Sequence, residues 1–186
     1  MTQATSEPVP FLGPLQPWEV SNLHIYLPPT SESSSPYDIS LAILNPNVIT
    51  AGPAPHASGG GYLLFGNSTA NCTGREVFPD SRPMECTEIS EYESYGAWSF
   101  EATKGSSTSV ASPSGIDIKF ILDYNVTRWG STYYKVLKGT GHFDLETDMT
   151  QHCDPKGGCT LTLKPNRDPF LILANITQCW GTCATS

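Results

Sequence analysis

Basic residues are scarce in this chain: 10 Lys and Arg stand against 18 Asp and Glu, a formal net charge of −8 at neutral pH. Binding to a phosphate backbone needs clustered Lys and Arg, so nucleic acid is argued against as a partner, and an anionic membrane surface is disfavoured on the same ground. Long apolar runs are also lacking. The longest, FLILA over residues 170–174, has strand length and falls far below the ~20 residues of a spanning helix, so no membrane insertion is expected. No stretch of about ten residues keeps a helical apolar period, which argues against a helical domain. Missing too are a C-x-x-C pair and a G-x-S-x-G elbow. The start, MTQATSEP, lacks the basic and apolar regions of a secretory leader, and the expectation is a mature chain whose leader has been trimmed.

What the chain has instead is punctuation. Gly and Pro number 16 each, charged residues make up 15%, and 186 residues suit one domain with its own core. Residues 1–17 hold Pro8, Pro10, Pro14 and Pro17 without periodicity and read as a Pro-rich tail or an extended strap; residues 18–186 read as a single β domain. Tyr37, Ile39, Leu41 and Ile43 alternate, as do Ile116, Ile118, Phe120, Leu122 and Tyr124, the period-two pattern of half-buried strands. An irregular alternation from Trp18 through Leu27 opens the domain. Shorter strands are expected at 62–65, 98–100, 133–137, 142–145, 160–163 and 170–176, with turn-rich segments such as 28–36, 53–61 and 105–115 between them. The expected fold class is all-β: a single compact β-barrel or β-sandwich, largely antiparallel and stapled by disulfides.

Six cysteines, Cys72, Cys86, Cys153, Cys159, Cys179 and Cys183, make an even count that allows three bridges. Local pairing is the simplest arrangement, Cys72 with Cys86 and Cys153 with Cys159. The pair Cys179 and Cys183 would close a very tight ring, and its crossing with Cys153 and Cys159 stays open. Zinc held by His152 and thiols is set aside because the spacings are not those of zinc knuckles, and no metal or cofactor is expected. Asn67, Asn71, Asn125 and Asn175 each begin an N-x-S/T sequon, where eight Asn in a chain of this composition give about two by chance. The stretch over residues 66–86, with two sequons and two cysteines, reads as a bridged, exposed loop. Sequons and bridges need the same oxidising, glycosylating route, so a secreted, extracellular glycoprotein is expected.

For chemistry, the acidic triplet Asp144, Glu146 and Asp148 alternates, and an extended strand would put all three on one face about 7 Å apart, within the range of glycosidase carboxylate pairs. A solvated strand face is the competing reading, and catalytic pairs more often face each other across a cleft. None of the four histidines, His24, His56, His142 and His152, lies near a nucleophile signature. The stretch YNVTRWGSTYY reads as a hairpin with Arg128-Trp129-Gly130 at its tip. A Trp at a turn either folds back over the rim or stands out as a contact residue, so Trp129 and Arg128 are the candidate binding residues. A glycan on Asn125 would crowd that tip.

The order WEVSNL, LAILNPN, a loop holding Cys72 and Cys86, GAWSFEA, IDIKFILDY, YYKVLKGTGHFD, then Cys153, Cys159 and a terminal apolar strand resembles the Alternaria major allergen-like family of fungal small secreted β-barrel proteins. The resemblance runs from Trp18 to Ile176. It implies bridges Cys72–Cys86 and Cys153–Cys159, a compact barrel, no conventional enzyme activity, and a virulence role as an effector or elicitor that binds a host protein, expected to be from a plant, or a small ligand. The family's best-known member dimerises through a cysteine near its N-terminus. No cysteine precedes Cys72 here, so a monomer is expected. The alternative function is a secreted carbohydrate-active protein, either a binding module or a small glycoside hydrolase using the acidic strand face.

Overall fold

A computed structural model of the chain describes residues 14–29, 36–55, 59–76, 82–90, 94–104 and 115–180. Cys183, the first thirteen residues of the expected tail and the turn-rich 105–114 lie outside them. The described strands, in chain order, are β1 (Trp18–Leu27), β2 (Tyr37–Asn45), β3 (Ile49–Pro53), β4 (Tyr62–Phe65), β5 (Ser68–Glu76), β6 (Met84–Glu88), β7 (Gly96–Lys104), β8 (Gly115–Arg128), β9 (Ser131–Asp144), β10 (Met149–Cys153), β11 (Cys159–Leu163), β12 (Phe170–Ile172) and β13 (Ala174–Trp180). Eleven of them form one antiparallel sheet curled into a half-barrel, in the order β10-β11-β1-β2-β5-β6-β7-β8-β9-β13 with β12 beside β1; β3 and β4 pair separately. The fold is all-β, as the alternation implies.

The curl is drawn together by residues 170–180. Trp18, Glu19 and Val20 of β1 pair with β12, whereas β13 pairs with β9, so the chain changes partner at Leu173 and links two strands far apart in the sheet order. Close approach of β12 to β9 needs space, and Gly139 supplies it: a Cβ there would lie 2.9 Å from the Ile172 Cγ2, 3.1 Å from the Leu173 carbonyl oxygen and 3.2 Å from the Trp18 ring. Inside the curl, Trp18 meets Trp98 edge to face at 4.7 Å, and Phe143 packs on Phe170 at 4.6 Å.

The β3–β4 hairpin covers part of this core. Phe65 stacks on Tyr124 at 4.8 Å, and the Tyr133 hydroxyl donates to the Pro53 carbonyl at 3.0 Å. Beneath it lies a satisfied polar cluster: Asn45 Nδ2 donates to the Tyr124 hydroxyl (2.8 Å), which donates to the Gly66 carbonyl (2.7 Å), and Asn47 Nδ2 donates to Asn45 Oδ1 (2.7 Å). Asn47 also exchanges hydrogen bonds with Gln16, and Leu15 packs against the core. The end of the Pro-rich segment is therefore a strap tied to the domain.

Two expectations need correction. The expected exposed loop over 66–86 is largely strand where it is described: β5 and β6 pair with each other and with β2 and β7, and residues 77–81 lie outside the described residues. The buried positions of β5 are filled by Ser68, Ala70 and Cys72 rather than by large apolar residues, so its alternation carries little hydrophobic contrast. The two strands expected at 133–137 and 142–145 are one long strand, Ser131–Asp144. Two disulfides join residues directly opposite each other, Cys72–Cys86 between β5 and β6 and Cys153–Cys159 between β10 and β11. Cys179 is disulfide-bonded as well, and the crossed pairings with Cys153 or Cys159 are ruled out. Bridges of this kind are typical of extracellular proteins. Among the described residues, no helix is long and apolar enough to cross a membrane.

Candidate binding surface

β8 and β9 pair along their whole length, from Gly115 opposite Asp144 to Arg128 opposite Ser131, and end in a two-residue turn. Both turn residues have left-handed backbones, Trp129 at φ 51° and Gly130 at φ 75°, the combination that defines a type I′ hairpin turn. Gly130 suits that geometry. Trp129 does not: a bulky side chain in this region costs about 1–2 kcal/mol, and Asn, Asp or Gly is the usual occupant. Trp129 is 50% exposed, so it does not fold back fully over the rim.

Tyr95 braces the tip. The Arg128 guanidinium donates to the Tyr95 hydroxyl at 3.1 Å and lies 5.7 Å from the ring centroid, while the Asn125 N–H donates to the Tyr95 carbonyl at 3.0 Å. Tyr95 itself sits at φ 61°. The apex thus presents an aromatic plane, a positive charge and a phenol on a long rigid hairpin. Tyr95 was not singled out from the sequence. Its only signal there is a Tyr in the aromatic-acidic run EYESYGAW, and what brings it to the tip is a contact across 33 residues.

The acidic triplet has a different fate from the expected strand face. β9 stops at Asp144 and residues 145–148 form a turn. Asp144 Oδ1 accepts from the Thr147 N–H (2.8 Å), the Glu146 N–H (2.9 Å) and the Thr147 hydroxyl (3.1 Å). Asp148 is buried, accepts from the Asp144 N–H at 3.0 Å and pairs with Arg167 at 3.1 Å. Local side-chain capping competes with the strand and wins, so the three carboxylates share no face. The Thr147 N–H, helped by its hydroxyl and the Glu146 N–H, holds the Asp144 carboxyl below the ordinary aspartate range.

That shift fixes a sign. The folded value lies below the unfolded one, so the contribution of Asp144 is complete above the unfolded pKa and is lost as pH falls through the folded one. Asp144→Ala is expected to lower the melting temperature at neutral pH and to leave little difference from wild type near about pH 2. Calorimetry at both pH values checks this, and an equal gap at both would contradict the capping role.

The four sequon asparagines, Asn67, Asn71, Asn125 and Asn175, are all exposed. Lys135 points inward from β9, fully buried, with its ammonium 3.1 Å from the Cys179 sulfur, and burial pulls it below the usual lysine range. Away from the apex, a shallow groove of about 470 Å³ crosses the outer face of β11, β1, β2 and β5. Its lining includes His24, Tyr26, Ser40, Thr73 and the ion pair of Asp38 with Arg75, at 2.7 Å. Among the described residues, no three His, Cys, Asp or Glu side chains are grouped to hold a metal ion.

Comparison of the chain with protein-family models, with curated proteins and with solved structures returns no match.

Proposed function

We propose that this chain is a secreted binding protein that acts without catalysis and contacts an extracellular host protein or a small ligand through the Trp129 apex. It would act as a monomer, in the manner of the fungal effectors and elicitors of the Alternaria major allergen-like family that its strand order resembles. The observation that carries the reading is Trp129 itself: a large aromatic side chain in a strained turn position, exposed to solvent. Strained outliers persist where a function holds them, and exposed Trp with an adjacent Arg is the composition of binding hot spots. The surplus of acidic residues suits a basic host partner. Against a hydrolase stands the commitment of Asp144 and Asp148 to capping and pairing.

Protein made in a secretory host, immobilised and exposed to plant extracellular fluid, is expected to retain a partner that Trp129→Ala loses and Glu146→Gln keeps. If instead Glu146→Gln abolishes turnover of a glycan substrate while Trp129→Ala changes nothing, the protein is an enzyme and this reading falls.

One observation favours a second reading, a carbohydrate-binding module. The outer-face groove combines the Tyr26 ring, His24, the Asp38–Arg75 ion pair and two hydroxyls, side chains suited to stacking on and hydrogen-bonding a sugar. Titration of soluble oligosaccharides against wild type and Tyr26→Ala separates it from the apex reading.

A further inference from the structure

Trp180 lies on β13 with 62% of its surface exposed, at the far end of a row that the strand register spells out. It is opposite Tyr134 of β9, which is opposite Asn125 of β8. The preceding row is Cys179, Lys135 and Tyr124, and in it Lys135 and Tyr124 are buried and the Lys135 ammonium meets the Cys179 sulfur. Successive residues of a strand alternate faces, so Asn125, Tyr134 and Trp180 share the outer face. Neighbouring strands are about 4.8 Å apart, which puts the aromatic positions roughly 5 and 10 Å from the asparagine across the sheet. Asn125-Val126-Thr127 is one of the four sequons. Among the described residues β13 is the outer edge of the sheet on this side, pairing only with β9.

We infer that an N-glycan on Asn125 lies sideways across Tyr134 and Trp180, covering the exposed indole and the β13 edge. The chemistry is direct. The C–H faces of the first two N-acetylglucosamine units carry partial positive charge and stack on the negative faces of aromatic rings, burying apolar surface on both. Of the two aromatic neighbours of Asn125, Tyr95 is partly buried and engaged by Arg128, whereas Tyr134 stands in register with Asn125 and leads on to the exposed Trp180; Trp129 is four residues further along the hairpin. A glycan seated on this row leaves the apex open, which removes the crowding that a sequon so near the tip would otherwise cause. An exposed strand edge is a template for unwanted pairing, and a sugar over it blocks that route. The inference rests on the secretory part of the function proposed above, and not on the identity of any partner.

The test uses full-length protein from a glycosylating secretory host, with site occupancy read by glycopeptide mass spectrometry. Wild type, Asn125→Gln, Trp180→Ala and the double variant are melted side by side, with a non-glycosylated set from a bacterial host as baseline. The Asn125 glycan is expected to raise the melting temperature by about 2–4 °C, and Trp180→Ala is expected to abolish that gain. Acrylamide quenching of tryptophan fluorescence gives a second readout that needs no change in stability: it should rise when the glycan is removed from wild type and not when it is removed from Trp180→Ala. An unoccupied Asn125 beside other occupied sequons overturns the inference and leaves secretion standing. No occupied sequon at all overturns both. A stability gain or quenching change that survives Trp180→Ala also overturns it.

Discussion

Replacing Trp129 with Asn is expected to weaken partner capture by roughly 30-fold or more while making the protein more stable. The two effects share one cause. Trp129 holds a left-handed backbone at φ 51°, next to Gly130 at φ 75°, in a turn for which Asn-Gly is the favoured pair. Asn relieves a strain of about 1 kcal/mol, which in a chain of this size raises the melting temperature by about 2–4 °C. The same change removes a half-exposed aromatic ring, and truncating a hot-spot Trp costs a complex about 2 kcal/mol or more. Opposite signs for stability and binding are what a position selected for contact gives; a structural Trp would lose stability on replacement. Calorimetry and a capture assay on the same preparation check both signs together. Arg128→Ala should weaken capture less, because part of its role is to brace Tyr95.

Trp18→Ala should have the largest effect on stability, a loss of about 3–5 kcal/mol and a fall in melting temperature on the order of 10 °C. Trp18 is fully buried, meets Trp98 edge to face at 4.7 Å, and stands in β1 opposite Ile172, where residues 170–180 link β1 to β9. Its removal opens a cavity at that junction. Two milder variants separate packing from hydrogen bonding. The Trp18 indole N–H has no partner among the described residues, so Trp18→Phe sheds an unsatisfied donor and should cost less. The Trp98 N–H donates to the Ser68 hydroxyl at 2.7 Å, which in turn donates to Glu88 at 3.2 Å, so Trp98→Phe should cost about 1 kcal/mol more than Trp18→Phe. Urea unfolding of the three variants gives the order. Equal costs for the two Phe variants would contradict this account of the core.

The parts of the fold that the sequence displayed are those where large branched or aromatic residues alternate. Ile39, Leu41 and Ile43, and the run Ile118, Phe120, Leu122 and Tyr124, all prove to be inward-facing and buried. β5 escaped notice because Ala70 and Cys72 give weak contrast against Asn71 and Thr73, and its two sequons suggested a loop. β10 has one buried apolar residue, Met149. β3 is buried at four successive positions, a pattern without a period. The joining of β1 to β9 through residues 170–180 depends on a change of partner at Leu173, which local sequence does not encode.

For the site, Gly130 between two alternating runs gave away the hairpin and its tip, while Tyr95 reaches it through a distant contact. The misreading of Asp144, Glu146 and Asp148 has a general cause. Alternation licenses a strand, but an Asp followed three residues later by a Thr also licenses a capped turn, and here the backbone N–H groups of Glu146 and Thr147 are satisfied by Asp144. The row of Asn125, Tyr134 and Trp180 needs the register of three strands and becomes visible only once the sheet is assembled.

The central claim is that the hairpin apex is the contact surface, and site-specific photocrosslinking tests it most directly. A benzophenone amino acid placed at Ser131, beside the tip with Trp129 intact, and, separately, at the exposed Thr150 on β10 would be irradiated in plant extracellular fluid. The account predicts a discrete covalent adduct from position 131, competed away by unlabelled wild-type protein, and none from position 150. Adducts of the same size from both positions, or adducts from position 150 alone, would contradict it.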